Sequence, residues 1–508
     1  MDFLDRLIST AHKRRWLYPL ALVVFCLFAM VVVKRTNVLL VAFPAVLMAG
    51  VYLALRDLRL VWLLGAALMP ASLNLNEVGA AAITLPSDLV AIGLLFSLFL
   101  KWRQFRSTAL MVLSNPIVVI MLTIMIWMLF TAIFSTKWVV SIKFWLNTTW
   151  YVAGFFWFSL VVFRSGKKYL QQWYYWTLPI LAAVLLFTLA KHASAGFGFL
   201  ASYGVMQPFY KEHTAYAASI AIYLLGYMVL MFGSPTLSRR WWINAAITGI
   251  VLLAVFFSYT RGAWLGAMLA FFFWMVMKFW RRFKLIIVII GVVLGSIFSF
   301  LATQELSNYE ANAESRSIAS HFRTAFDTEE NTSNKERINR WVAAWGMAQD
   351  RPFLGFGPGT YAFQYAKFQK AEYRTYVSTN QGDVGTAHNE ILLALSEQGW
   401  IGALLFVALM LVSVYKGFVG YQRSHSKWRK TCFAAATTGL ITFYVHALVN
   451  NFLDQDKVAI PVYICLAMLV ALEEFYPERG KRGRALSDRR AAIAERQALR
   501  EANQAAEA

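Results

Sequence analysis

Apolar side chains come in long runs along this chain, and charged residues are mostly confined to the gaps between runs. A helix needs about 17–25 apolar residues to cross the hydrocarbon core of a bilayer. Runs of this kind lie at Trp16–Val33, Asn37–Leu55, Leu58–Leu73, Leu89–Lys101, Pro116–Ser135, Ile142–Phe163 and Trp173–Ala190. More follow at Thr214–Phe232, Trp241–Ser258, Gly262–Phe279, Leu285–Ala302, Ile401–Tyr415, Cys432–Asn450 and Val458–Leu472. The pattern predicts an all-α polytopic membrane protein of about 12–14 spanning helices, the third and fourth runs being short for a span. The first run is long and lacks an Ala-x-Ala exit, so it reads as a retained anchor rather than a cleaved leader.

Four parts follow from this pattern. They are N-terminal transmembrane helices over residues 1–303, a large loop over 304–387, a re-entry helix with further spans over 388–475, and a charged tail over 476–508. Composition agrees, since 59% of the 508 residues are hydrophobic and 15% are charged. A soluble domain carries about 25% charged residues, so a cytosolic enzyme and a disordered chain are both excluded. Cys26, Cys432 and Cys465 all lie inside apolar runs and offer neither a disulfide framework nor a metal spacing.

The net charge of +21 is a statement about topology. Basic residues precede the first span at His12–Arg15 and recur in alternate connections. These carry Arg56 and Arg59, Lys101–Arg106, Arg164 with Lys167 and Lys168, Arg239 with Arg240, Lys278–Lys284, Arg423–Lys430, and the tail from Arg479. The positive-inside rule puts all of them, and both termini, in the cytoplasm of a bacterium. The segment Gln304–Ala387 then lies in the periplasm, and its nine basic and ten acidic residues nearly cancel. Nucleic-acid binding is not expected; the tail, rich in Arg, Ala, Glu and Gln, reads as a solvated cytoplasmic helix, with anionic lipid headgroups a further possible partner for its cations.

Ionisable groups are costly in lipid, so their positions carry information. Few fall at mid-membrane, where a channel or pump would place them; most gather at the outer ends of spans or in the large loop. Ser258-Tyr-Thr-Arg-Gly-Ala-Trp-Leu-Gly266 puts Arg261 at an outer turn, either as a phosphate ligand or as a snorkelling interfacial anchor. Lys335-Glu-Arg-Ile-Asn-Arg-Trp341 opens a helical stretch with Arg337, Trp341 and Ala344 on one face and Arg340 sharing part of it. A solvated helix with Glu336 paired to Arg340 is the plainer alternative. Arg351–Thr360, rich in glycine and proline, reads as a tight turn and not as a nucleotide loop. Thr386-Ala-His-Asn-Glu390 marks the return to the membrane, with His388 at the start of an amphipathic stretch, either as a proton acceptor or as a local cap. Lys211 and His213, Asn389, Glu397 and His446 are candidates for lining a polar cavity, as are Asn450, Asn451, Asp454, Asp456 and Lys457; for the Lys211–His213 and His446–Lys457 sets, satisfied polar groups at a helix end are the plainer reading.

The chain resembles the O-antigen ligase and polymerase superfamily of bacterial membrane glycosyltransferases. The resemblance rests on Ser258–Gly266, Arg337 four residues before Trp341, Pro352-Phe-Leu-Gly-Phe-Gly-Pro-Gly359, His388-Asn-Glu390 and Glu397-Gln-Gly-Trp-Ile-Gly402. It implies a GT-C-like fold and transfer of a glycan from an undecaprenyl-diphosphate carrier to an acceptor hydroxyl in the periplasm, with inversion and without metal, nucleotide sugar or other cofactor. It also implies diphosphate binding by Arg261 and Arg337, with Arg340 an alternative second ligand, and a catalytic role for His388. Partners would be the lipid-linked donor, membrane lipids and an acceptor such as lipid A–core, making a ligase of lipopolysaccharide biosynthesis the leading reading. A polymerase or protein O-oligosaccharyltransferase fits the same motifs. A flippase or transporter would instead show internal repeats and midplane charges.

Overall fold

The computed structural model describes residues 57–75, 83–100, 102–307, 332–375, 378 and 385–478. The runs Trp16–Val33 and Asn37–Leu55, most of the loop between 308 and 331, and the tail from Arg479 lie outside them. The chain divides into two compact units, residues 1–64 and 65–508. The described part of the first opens helix α1 (Leu58–Leu68), where Arg59 folds back onto Asp57 at 2.7 Å.

Among its described residues the second unit is built of helices and their connections, with a two-stranded antiparallel ribbon, Leu73–Leu75 with Ile83–Leu85, in which Asn74 faces Thr84. It carries α2 (Ser87–Leu100), α3 (Trp102–Val112), α4 (Pro116–Ile133), α5 (Trp138–Tyr151), α6 (Phe158–Ser165) and α7 (Tyr169–Ser194). Next come α8 (His213–Gly233), α9 (Arg239–Phe256), α10 (Arg261–Ser307), α11 (Thr332–Asp350) and the short α12 (Tyr361–Gln364). α13 (Glu390–Arg423), α14 (Lys427–Ala447) and α15 (Asp456–Glu474) complete it. Local chemistry sets several starts: Asn115 caps α4 by accepting from the Ile117 N–H, with Pro116 at the first helical position, and Ser238 caps α9 through the Trp241 N–H. A π-turn, Val152–Trp157, joins α5 to α6, and Gly154 within it lets that turn touch the α2 backbone at Ala91.

Among the described residues, seven helices are long and apolar enough to span a membrane. They are α4, α5 continuing into α6, α7, α8, α9, Arg261–Arg282 of α10, and α13. The polytopic all-α reading therefore stands, with corrections to individual spans. The runs at Leu58–Leu73 and Leu89–Lys101 are short helices, the first broken at Pro70, which has no N–H to donate. The runs Gly262–Phe279 and Leu285–Ala302 share one continuous helix, because nothing between Lys278 and Leu285 is a breaker. α14 and α15 are not among the seven, yet they are the most enclosed, packed with α8 at the centre of this unit. Their charges are at their ends, Asp456 and Lys457 opening α15 and Glu473 and Glu474 closing it, so the middle is buried all round.

Three of the basic connections, those with Lys167, Arg281 and Arg429, meet at one end of α13–α15. Lys416 pairs with Glu473 at 3.1 Å, Arg281 donates to the Gln422 carbonyl, and Lys167 stands over the Trp428 ring. Tyr476 Oη donates to the Phe163 carbonyl at 2.6 Å, and Arg429 donates to the Tyr476 carbonyl. The opposite end, where α10 and α15 begin and α14 finishes, carries the groups described next.

Candidate functional site

The site is built first from a turn. Tyr259 adopts a left-handed φ of 53°, the Thr260 N–H is held by Ser258 Oγ at 3.3 Å, and α10 starts immediately at Arg261. Gly262 and Gly266 then face α14: a Cβ on Gly262 would stand 3.3 Å from His446 Nδ1, and one on Gly266 2.8 Å from the Thr442 carbonyl oxygen. Small residues four apart let two helices approach backbone to backbone. The close approach brings the first turn of α10, with Arg261, against His446.

α11 supplies the second cation. Arg340 is buried, with Nε on Glu336 Oε1 at 2.9 Å, Nη1 on the Thr386 carbonyl at 3.2 Å and its guanidinium over the Tyr365 ring. It ties α11 to the strand of chain leading into His388. Arg337 turns elsewhere: its charge interacts with Arg261, and it is also felt at His388, His446 and His213. Trp341, one turn further on, donates its indole N–H to the His388 carbonyl at 3.4 Å. Trp341 thus lies against His388, and Arg337 precedes it by four residues on α11.

His388 itself is left-handed, with φ of 49°, an uncommon state for a residue other than glycine. Its neighbours hold it there. Asn389 is the actual cap of α13, accepting from the Leu392 N–H and donating to the Leu448 carbonyl at 2.8 Å. Glu390 Oε1 accepts from the Phe452 and Leu453 N–H groups, both at 2.9 Å. His388 is thereby freed from the capping role, and its Nδ1 lies 3.2 Å from Asn450 Oδ1. Asn450 Nδ2 in turn lies 3.1 Å from His446 Nε2.

Burial, then the cations Arg340 and Arg337, pull His388 from 6.5 down to about 4, against the opposing pull of the Asn450 hydrogen bond. The ring is neutral at pH 7 and able to accept a proton. Burial and the neighbouring Arg261 also lower Arg337, whose guanidinium stays charged at neutral pH. Two cations and a neutral imidazole in one place suit an anionic ligand beside a reacting hydroxyl.

The remaining candidates divide. His213 joins the site: Thr260 Oγ1 donates to its carbonyl at 3.4 Å, and its ring meets the half-exposed Tyr203 edge-on at 4.4 Å. Tyr203, close enough to Arg337 for their charges to interact, went unnoticed in the sequence because its placement depends on long-range packing. Lys211 is exposed and interacts with Asp454 and Lys457. Asp456 accepts from Ser72 and Ser87 at 2.5 and 2.6 Å, and Lys457 donates to the Ser72 carbonyl at 2.8 Å. These two anchor the ribbon. Glu397 is buried and holds backbone, not a cavity: its two oxygens accept from the Gly359 and Tyr361 N–H groups, each at 2.8 Å. Gly355, Gly357 and Gly359 are all left-handed, and Gly399 kinks α13 at φ of 69°. The turn Arg351–Thr360 docks there through Gly357 N–H to the Glu397 carbonyl at 2.8 Å and Trp400 N–H to the Pro352 carbonyl at 2.9 Å. Among the described residues, no group of three or more His, Cys, Asp or Glu side chains is placed to hold a metal ion.

Residues 246–407, about a third of the chain, match the model of a family described as O-antigen ligase. The matched stretch contains Arg261, Arg337, Arg340, the glycine-rich turn, His388 and Glu397, and stops before His446 and Asn450. No curated protein matches the chain. The match agrees with the resemblance read from the motifs and supports a membrane glycosyltransferase of the O-antigen ligase or polymerase type.

Proposed function

We propose, from the match of residues 246–407 to the O-antigen ligase family and from the groups it contains, that this protein transfers a glycan from undecaprenyl diphosphate to an acceptor hydroxyl. The single observation that carries the reading is Arg337 standing in charge range of both Arg261 and the neutral His388. Arg261 and Arg337 bind the diphosphate, and Arg340 positions α11 against Thr386. The gathering of basic connections at the far end of α13–α15 supports a periplasmic site under the positive-inside rule.

In the reaction the acceptor oxygen attacks the anomeric carbon as His388 Nε2 takes its proton. The bond from that carbon to the diphosphate oxygen breaks, and the electron pair stays on the diphosphate. Attack opposite the leaving group inverts the anomeric centre. Fixed guanidinium groups stabilise the charge that builds on the leaving oxygen, a role that elsewhere falls to a metal ion. A ligase attaching finished glycan to lipid A–core is favoured over a polymerase.

Purified protein in nanodiscs, given lipid-diphosphate-linked glycan and acceptor, tests this. His388→Ala, Arg261→Ala and Arg337→Ala are each expected to lower transfer by about 10²-fold or more, without loss of protein from the membrane. Transfer is expected to persist in a chelator. Wild-type rates in any of the three variants remove that residue from the mechanism, and a product ladder in place of one added chain turns the reading to a polymerase.

A further inference from the structure

Beyond the matched stretch, Asn450 lies between two imidazoles and touches both. Its Oδ1 is 3.2 Å from His388 Nδ1 and its Nδ2 is 3.1 Å from His446 Nε2. Asn450 is 4% exposed and His446 2%, so bulk water does not compete for these contacts. An amide oxygen only accepts and an amide nitrogen only donates. With the amide in this orientation, His388 carries its proton on Nδ1 and donates it to Asn450 Oδ1, while His446 Nε2 is bare and accepts a hydrogen bond from Asn450 Nδ2. A reversed amide gives the opposite result: His388 accepts at Nδ1, holds its proton on Nε2, and has no lone pair left for an acceptor hydroxyl.

The backbone that carries this amide is held from both sides. Asn450 is tethered by its own N–H to the His446 carbonyl at 3.0 Å, and the turn that follows is held by Glu390 through the Phe452 and Leu453 N–H groups. His446 Nδ1 lies against Gly262, in the first turn of α10. Hydrogen-bonded groups therefore run from His446, packed against the α10 turn that carries Arg261, through Asn450 to His388. The other charged groups acting on His388 are Arg337, Arg340 and Glu336, all from α11.

We propose that Asn450 and His446 are positioning residues that fix the tautomer of His388, so that Nε2 presents a lone pair to the acceptor hydroxyl, and that they register it against the Arg261 turn. The proposal rests on the glycosyl-transfer reading for its consequence but not for its geometry.

Two measurements test it separately. In protein labelled with 15N-histidine, the His388 signals of the wild type should show a protonated Nδ1 and a bare Nε2, and Asn450→Leu should lose that bias. In the transfer assay, Asn450→Leu is expected to lower kcat by about 10²-fold with KM unchanged, the share a general base supplies. Asn450→Asp, which accepts from both rings, should keep the His388 tautomer and move the acid limb of kcat to higher pH. An unchanged tautomer and kcat in Asn450→Leu overturns the proposal. So does a fall in kcat accompanied by lower thermal stability and an unchanged tautomer, which marks a merely structural residue. If the wild type shows the expected tautomer but no glycan transfer, the positioning role stands and the assignment of the reaction fails.

Discussion

Arg337 and Arg340 lie three residues apart on one helix, yet their surroundings give them different work. The Arg340 guanidinium is held by Glu336, the Thr386 carbonyl and the Tyr365 ring, and from there its charge also acts on His388, whereas Arg337 interacts with Arg261 and with three histidines. A phosphate arriving between Arg261 and Arg337 would screen the cation that helps to hold His388 near 4. The acid limb of kcat/KM, which reports the free protein, is therefore expected near pH 4, and that of kcat at higher pH. Limbs that coincide would separate His388 from the diphosphate site. The same depression makes the folded state lose stability as pH falls from 6.5 toward 4, because the unfolded ring binds its proton first. Which arginine took which part was not legible in the sequence. A shared helix face puts both near the site, and only the carbonyl of Thr386 and the ring of Tyr365, from distant stretches of chain, tell them apart.

At the scale of elements, the kink at Gly399 and the turn Pro352–Gly359 form one unit. A Cβ on Gly355 would stand 2.3 Å from the Glu397 carbonyl carbon, and one on Gly399 2.1 Å from the Phe353 carbonyl oxygen, so neither position tolerates a side chain. Glu397 fastens the pair through two backbone N–H groups. Glu397→Ala leaves one buried and one half-buried N–H without a partner and is expected to destabilise the protein by about 2–6 kcal/mol, at about 1–3 per orphaned group. A thermal-unfolding midpoint equal to wild type would show that the clasp is not needed. These glycines and Glu397 were legible as a motif, and their turn was read correctly, but the sequence suggested a cavity where the carboxylate holds backbone. The caps at Asn115, Ser238 and Asn389 were not read from the apolar runs, and His388 rather than Asn389 was weighed as the local cap. The join between Gly262–Phe279 and Leu285–Ala302 was also missed, since a basic patch that marks a loop in a topology argument is equally at home on a continuous helix.

For the whole molecule, the gathering of basic connections at one end predicts sidedness that can be measured. In a Cys26→Ser background the native Cys432 and Cys465 are buried and silent. Lys370→Cys, on the exposed surface of the large loop, should react with a membrane-impermeant maleimide added to intact cells, and His425→Cys only after the cells are opened. The reverse result would turn the candidate site toward the cytoplasm. The general architecture was visible in the runs of apolar residues; the depth of each helix was not, because hydropathy ranks a helix by its own side chains and burial depends on its neighbours. α15 makes the difference plain. It is enclosed by α6, α14, the π-turn and residues 69–71, all of which precede it in the chain. The ribosome therefore delivers the sheath before the stave it surrounds, and the earlier spans must wait, loosely gathered in the bilayer, with a central berth vacant until α15 inserts.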